Sequence, residues 1–298
     1  MTDGAETRAG FVAFAGRPNA GKSTLLNQIV GAKVAITSPR PQTTRRAIRG
    51  VATGPNWQLV AVDLPGVQRP RDPLTERMQR RMEIELRESD AALFVVNGHE
   101  QIGPGDRFIA EAIKSVGLPT VTVLNKVDLL DRTQTVERLH EVAALDVQGE
   151  IFPVSAKSGA GVRDVVRALV ELMPASDLLY PPDEKTDLPL EVRLAEIVRE
   201  QILHRTHDEI PHAVEVHVDE LEEREDGLVT VVAHAWAETE SQKGILVGKG
   251  GRMVRDVGSG ARKQMEALLG RRVFLDLRVR VRKGWRRDES LLDRLGIE

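Results

Sequence analysis

Residues 11–23 read FVAFAGRPNAGKS, and no other stretch restricts the fold of this chain so tightly. An apolar run of strand type passes into a loop with glycines at 16 and 21. The loop ends on Lys22 and Ser23, and a helix-like stretch runs from Lys22 to Val30. The pattern G-x-x-x-x-G-K-[ST] between a strand and a helix is a phosphate-binding loop. Its glycines let backbone N–H groups wrap phosphates, its lysine reaches the outer phosphates, and its serine hydroxyl goes to Mg2+. The helix N-terminus adds its dipole. Gly16, Arg17, Pro18, Asn19, Ala20, Gly21, Lys22 and Ser23 are therefore expected to surround a nucleotide triphosphate.

The rest of the first half has the alternation such a loop needs. Further strands are predicted at 57–66, with a loop after it, and at 91–96, 120–126 and 150–155. Helical segments lie between them, including 73–89 with Met78, Met82 and Leu86 on one face. Strands alternating with helices predict a mostly parallel sheet covered on both faces. With 298 residues the chain has room for two domains of ordinary size. The absence of cysteine excludes disulfides, thiolate metal sites and cysteine nucleophiles. The start, MTDGAETRAG, has no signal pattern, and the longest apolar runs are far too short to cross a bilayer. A cytoplasmic monomer is expected. The net charge of −3 confines any nucleic-acid surface to a local patch.

Four further motifs select the nucleotide. In NKVD (125–128) the Asp128 carboxylate can accept both N–H donors on the Watson–Crick edge of guanine, which adenine does not offer. Asn125 can bond the base, Lys126 can lie over it or brace the phosphate loop, and Val127 completes the turn. In DLPG (63–66) Asp63 reaches Mg2+ through water. Leu64 and Pro65 lead to Gly66, whose N–H faces the γ-phosphate, and Val67 follows. PQTTR (41–45) carries Thr43 and Thr44, with Thr44 favoured as the hydroxyl that closes over Mg2+. SAK (155–157) supplies Ser155, the Ala156 N–H for the guanine carbonyl, and Lys157. The expected metal-side residues are Ser23, Thr44 and Asp63, and the expected catalytic residues are Lys22, Asn19, Thr44 and Gly66.

The pattern breaks at 173–189, where Pro174, Pro181, Pro182 and Pro189 interrupt all periodicity. The expected division is 1–175, a linker at 176–189, and a second domain at 190–298. There an amphipathic helix (190–206) precedes a hairpin (212–224 and 228–239). A short helix, the turn VGKGGR (247–252), a helix from about Arg252 to Leu269 and a strand at 271–285 follow. The glycines of Gly248-Lys249-Gly250-Gly251 allow close approach of a phosphate backbone, and Lys249 supplies charge. The turn lacks the buried strand and the GK[ST] ending of a triphosphate site. A basic stripe follows at Arg271, Arg272, Arg278, Arg280, Arg282, Lys283, Arg286 and Arg287. The histidines have no metal-site spacing, and Trp285 reads as a packing residue.

GRPNAGKS, PQTTR, DLPG, NKVD and SAK, in that order, resemble the small GTPase family. With the second half they resemble its bacterial Era branch over nearly the whole chain. The resemblance implies an α/β P-loop GTPase domain followed by an α+β type II KH domain, whose GxxG loop clamps about four nucleotides. It implies GTP hydrolysis with GTP/GDP and Mg2+, RNA rather than DNA as partner, and a role in assembling the small ribosomal subunit through RNA near the 3′ end of its ribosomal RNA. Contact with the inner face of the cell membrane is a further implication. The RNA-binding set is Gly248, Lys249, Gly250, Gly251, Arg252, Arg280, Arg282, Lys283, Arg286 and Arg287, with Ile245, Val247 and Val254 as an apolar wall. Where many relatives carry a water-orienting glutamine stands Val67, which cannot hydrogen-bond water. Asn19 has two readings: it accompanies a K+ ion against the phosphates, as in related GTPases, or it only tolerates a turn conformation. Intrinsic turnover is expected to be slow, on the order of 10⁻⁴ to 10⁻² s⁻¹. The alternatives are a tRNA-directed or modification-linked GTPase, and a signalling GTPase whose second half binds protein.

Overall fold

The computed structural model describes residues 6–40, 43–66, 72–207 and 209–297. Contacts divide the chain into two units. Ile36–Thr43 and Leu188–Ile297 form the second, and nearly all the rest, through Asp187, forms the first.

In the first unit the described residues build a six-stranded sheet of β1 (Arg8–Gly16), β2 (Ile48–Gly54), β3 (Trp57–Asp63), β4 (Ala91–Asn97), β5 (Thr120–Asn125) and β6 (Ile151–Pro153). The order is β2-β3-β1-β4-β5-β6. All neighbours are parallel except the edge pair β2–β3. That antiparallel edge strand was not expected from sequence. Its run IRGVATG is glycine-broken, and it needs Gly50 because a Cβ there would lie 2.8 Å from Val30 of the first helix.

Strand residues alternate between two cores because successive side chains point to opposite faces. Val12, Phe14, Leu93 and Val95 join one cluster with Leu25, Leu26, Val165 and Leu169. These come from α1 (Lys22–Val30) and α5 (Val162–Leu172). Ala13, Ala15, Phe94 and Val96 join the other with Met82, Leu86, Ile109 and Ile113. That face is covered by α2 (Pro73–Glu88), α3 (Pro104–Val116) and α4 (Arg132–Ala143). β1 pairs with both β3 and β4, so the chain reverses its winding beside β1. Ligands of open parallel sheets sit outside the carboxyl ends of the strands at such a point.

Much of the stretch expected as a linker is tied to this unit. Gln58 is fully buried and accepts from the Leu179 and Tyr180 N–H groups while donating to the Tyr180 carbonyl. Thr186 bonds the Arg49 carbonyl, and the Val51 N–H reaches Lys185.

The second unit holds α6 (Leu190–Arg205), α7 (Ile210–Ala213), β7 (Glu215–Glu223), β8 (Val229–Ala237), α8 (Glu240–Val247), α9 (Arg252–Leu269), β9 (Val273–Val281) and α10 (Glu289–Arg294). Its sheet has the order β7-β8-β9. The first pair is antiparallel with a bulge between Val218 and Glu220, and the second is parallel. Val231, Ala233 and Ala235 face a core completed by Leu194, Val198, Ala261 and Met265. The last stretch expected as strand stops at Val281. Trp285 then turns inward, fully buried, and its Nε1 donates to the Ala213 carbonyl at 2.9 Å. No described helix is long and apolar enough to cross a membrane.

Gln58→Ala is expected to leave the Leu179 and Tyr180 N–H groups unsatisfied at a cost of about 1–3 kcal/mol. Limited proteolysis is expected to gain cleavage within 176–187, with the nucleotide site unaffected.

Candidate nucleotide site and nucleic-acid groove

Gly16 ends β1 and Gly21 caps α1 with φ 97, a conformation open to glycine. A Cβ at Gly21 would meet Asn125 Nδ2 at 2.1 Å, so the loop and the NKVD motif are packed against one another. Asn19 also lies at positive φ, 62, which asparagine tolerates. Ala20 is buried, while Arg17 and Pro18 are partly exposed. The Arg17 side chain leaves the loop for the N-terminus of α3, pairing with Asp106 and Glu100 at 3.1 Å each. Its expected place at the nucleotide is thus left to its backbone. Lys22 is buried, and its Nζ donates to the Gly16 and Arg17 carbonyls at 3.0 and 3.2 Å. Burial lowers its pKa and Asp63 opposes that.

The three metal-side residues converge. Ser23 Oγ donates to Asp63 Oδ2 at 2.5 Å and Thr44 Oγ1 does so at 3.0 Å, with the two hydroxyls 3.1 Å apart. Asp63 is fully buried, and its Oδ1 has no hydrogen-bond partner among the described residues. Burial pushes its carboxyl above the usual range, while Lys22, Ser23 and Thr44 pull it back. An oxygen-only donor set suits Mg2+. The hydroxyl separation matches that of adjacent ligands in a six-coordinate shell at about 2.1 Å, which is about 3 Å. Leu64 and Pro65 are buried. Gly66 lies against the phosphate loop, where a Cβ would be 2.8 Å from Pro18 Cα and N. Val67 lies outside the described residues, as do Pro41 and Gln42 of PQTTR.

Asn125 is used differently from expectation. It is 1% exposed, its Nδ2 donates to the Ala20 carbonyl at 2.8 Å, and its Oδ1 accepts the Ala156 N–H at 3.0 Å. It therefore brackets three loops, and the Ala156 N–H expected to face guanine is engaged with it. Ser155 Oγ holds the exposed Asp128 carboxylate at 2.6 Å. Lys126 stands at φ 67, half-buried, its pKa lowered by burial against Glu100 and Asp128. Val127 opens a 3-10 turn and Lys157 is exposed.

In the second unit the GKGG turn joins α8 to α9. Gly248, Gly250 and Gly251 stand at φ 71, 61 and 75, so three of its four residues need the freedom of glycine. Beside it α9 and β9 enclose a cavity of about 590 Å3, lined by Gly251, Val254, Arg255, Phe274 and Leu277 among others. Lys249 and Arg252, in and just after the turn, are exposed. Of the expected apolar wall only Val254 lines the cavity; Ile245 is half-exposed and Val247 is partly buried. The sequence did not single out Arg255, Gly258, Ser259 and Arg262. Their spacing of three, four and seven residues places them on one face of α9, which is the signal that could have found them. Phe274, 52% exposed on the edge strand, was also missed. In the basic stripe Arg280, Arg282, Lys283 and Arg287 are exposed. The Arg282 guanidinium lies 5.5 Å from the Trp236 ring centre. Arg286 is committed to the His212 carbonyl at 2.8 Å, which weakens its expected part in binding RNA.

Known proteins carry the same arrangement. Residues 11–126 match the family described as "50S ribosome-binding GTPase", and 209–286 match the KH domain. GTPase Era of Mycobacterium tuberculosis is 46% identical over 98% of this chain and 99% of its own length. The chain belongs to the Era family of GTPases. Era of Mycolicibacterium smegmatis is 45% identical over 98% of this chain. The structure of Aquifex aeolicus Era bound to GDP·AlF4− superposes with a TM-score of 0.94 at 34% identity, covering 98% of this chain. As a member of the Era family the chain hydrolyses GTP, with GTP or GDP and Mg2+ as its ligands.

The raised Asp63 pKa has a testable sign. The native chain holds that proton more tightly than the unfolded chain. This contribution to stability is present at low pH and lost as pH rises from about 4 through the folded value. Asp63→Asn is therefore expected to raise the melting temperature of the nucleotide-free chain over the parent at pH 7.5 but not at pH 4. The same variant is expected to lose Mg2+-dependent affinity for a GTP analogue. Thermal unfolding and nucleotide titration measure the two effects.

Proposed function

We propose that the chain is a GTP-dependent RNA-binding switch in assembly of the small ribosomal subunit, acting in the cytoplasm. The observation that carries this is the groove of the second unit. A glycine-rich turn with three positive-φ positions opens onto a cavity with an apolar floor and a basic rim. Backbone N–H groups and Lys249 at such a turn suit phosphates of a single strand, while Val254, Phe274 and Leu277 offer apolar surface to unstacked bases. An Era protein 34% identical to this chain, with a TM-score of 0.94, has been solved with MgGDPNP and nucleotides 1506–1542 of 16S ribosomal RNA. That likeness supports the RNA reading and the 3′ end as its target.

In the nucleotide half Lys22 meets the outer phosphates. Ser23 and Thr44 supply hydroxyls and Asp63 a carboxylate to Mg2+, which neutralises charge on the phosphate oxygens when bound. Gly66 offers its N–H to the γ-phosphate, and Asp128, steadied by Ser155, reads guanine. Asn125 positions these loops. The left-handed turn at Asn19 accounts for asparagine there without a cation. The K+ expectation rests on resemblance, and hydrolysis rates equal in K+ and Na+ buffers would remove it.

Lys249→Asp is expected to lower affinity for a single-stranded RNA matching that 3′ segment at least tenfold at fixed salt. GTP hydrolysis without RNA is expected to stay at the parent rate. Parent-level RNA binding by Lys249→Asp would sink the groove as the RNA site. Affinity measured with GTP analogue and then with GDP tests the switch, for which linkage sets a coupling of about 1–3 kcal/mol. Equal affinities would mean that the two sites are uncoupled.

A further inference from the structure

One long side chain of the phosphate loop is spent outside it. The proline at 18 disfavours helical backbone at Arg17, and the Arg17 side chain runs to the segment between β4 and α3. Its Nη1 donates to Asp106 Oδ2 at 3.1 Å and to the Gln101 carbonyl at 3.3 Å, and its Nη2 pairs with Glu100 Oε2 at 3.1 Å. The stem lies along Gly105, where a Cβ would come within 3.2 Å of Arg17 Cγ. The Asp106 side chain is only 3% exposed, so this arm is not a solvated surface pair, which would hold little. A guanidinium spread over two carboxylates and a carbonyl is a rigid fork. The first turn of α3 does not call for it, because Asp106 Oδ2 already accepts the Gly103 N–H at 2.8 Å. The main chain of the same arginine faces the loop. Its carbonyl accepts from the Ala20 N–H and from Lys22 Nζ, each at 3.2 Å.

We propose that Arg17 is a positioning residue for GTP hydrolysis: its side chain, gripped by Asp106 and Glu100, fixes the carbonyl that holds the Lys22 ammonium and the turn of the phosphate loop. Carbonyl and side chain hang from one Cα, so releasing the guanidinium frees the carbonyl. Displacement on the order of 1 Å from a productive geometry costs up to roughly 10²-fold in rate. The same grip reaches the base side of the site. Glu100 Oε1 accepts from Asn97 Nδ2 at 2.7 Å. Burial lowers the Lys126 pKa, and the Glu100 charge opposes that. The Gly98 N–H donates to the Asn125 carbonyl at 2.8 Å. Residues 97–106 carry none of the five nucleotide motifs, yet they tie the phosphate loop to the NKVD loop. All these groups lie in the first unit. The proposal rests on the reading of Lys22 as the residue that meets the outer phosphates.

The test uses the full-length chain with Arg17→Met, Arg17→Lys, Asp106→Ala and the Arg17→Met/Asp106→Ala double variant, without RNA and well below the melting temperature. In the nucleotide-free chain, amide exchange of peptides covering 16–23 is expected to quicken at least roughly tenfold in Arg17→Met and in Asp106→Ala. With Mg2+ and saturating GTP, kcat is expected to fall on the order of tenfold in both. The double variant is expected to be no slower than the slower single variant, because the two groups act through one contact. Arg17→Lys, which still reaches one carboxylate, is expected to stay within about threefold of the parent. A merely structural ion pair would lower the melting temperature and quicken exchange over 104–116, with exchange over 16–23 and kcat at saturation unchanged. An arginine that leaves α3 to touch the phosphates itself would give a low kcat in Arg17→Met and the parent value in Asp106→Ala. Either pattern, or additive losses in the double variant, would overturn the proposal. If one of the two single variants does not fold, the other carries the decision, and unchanged exchange over 16–23 or unchanged kcat there would overturn it. Parent affinity for GTP in Lys22→Ala would instead remove the reading on which the proposal stands. RNA binding enters none of these measurements, so failure here leaves the reading of the groove untouched.

Discussion

A fully buried carboxylate with one oxygen unsatisfied among the described residues is the constraint around which the nucleotide half is arranged. Leaving Asp63 charged in that position costs stability, and the chain accepts it at the end of β3, between two hydroxyls and near the Lys22 ammonium. A cation bridging Asp63, Ser23 and Thr44 would offset the cost.

Asn125 does for the loops what Asp63 does for the metal. One buried amide links Ala20 of the phosphate loop to Ala156 of the SAK loop, across 105 and 31 residues of chain. The carboxyl ends of β1, β3, β5 and β6 bring these loops to one rim of the sheet. Reversal of the winding beside β1 leaves room there for a ligand. Glycine at 21 and at 66 is required by close packing against Asn125 and Pro18.

The second unit solves a different problem with related means. Its three positive-φ glycines shape a backbone that can approach phosphate, but the turn is not preceded by a buried strand. Bases are met by the neighbouring helix face and edge strand. Charge is spread over Lys249 and Arg252 of the turn and Arg255 and Arg262 of the cavity lining, which suits a chain of phosphates rather than one triphosphate.

Local pattern carried much of this. The helices Lys22–Val30 and Arg252–Leu269 end where capping glycines and periodicity place them, and the motif order alone pointed to guanine nucleotide and Mg2+. What the sequence could not reveal depends on partners distant in the chain. The edge strand Ile48–Gly54 exists because β3 and α1 receive it, although its own pattern is weak. The proline-rich stretch before α6 reads as a connector, yet Gln58 accepts from its backbone and the Arg49 carbonyl accepts from its Thr186 hydroxyl. Asn125 looks like a base contact within NKVD and becomes a bracket only when Ala20 and Ala156 arrive. Arg199 is one arginine among many until folding buries it against Glu196. The sequence by itself determined which chemistry each loop can perform, because backbone freedom and side-chain type are local properties. Only the tertiary structure decided which groups hold those loops in place, because hydrogen bonds to buried main-chain atoms depend on what the rest of the chain brings near them.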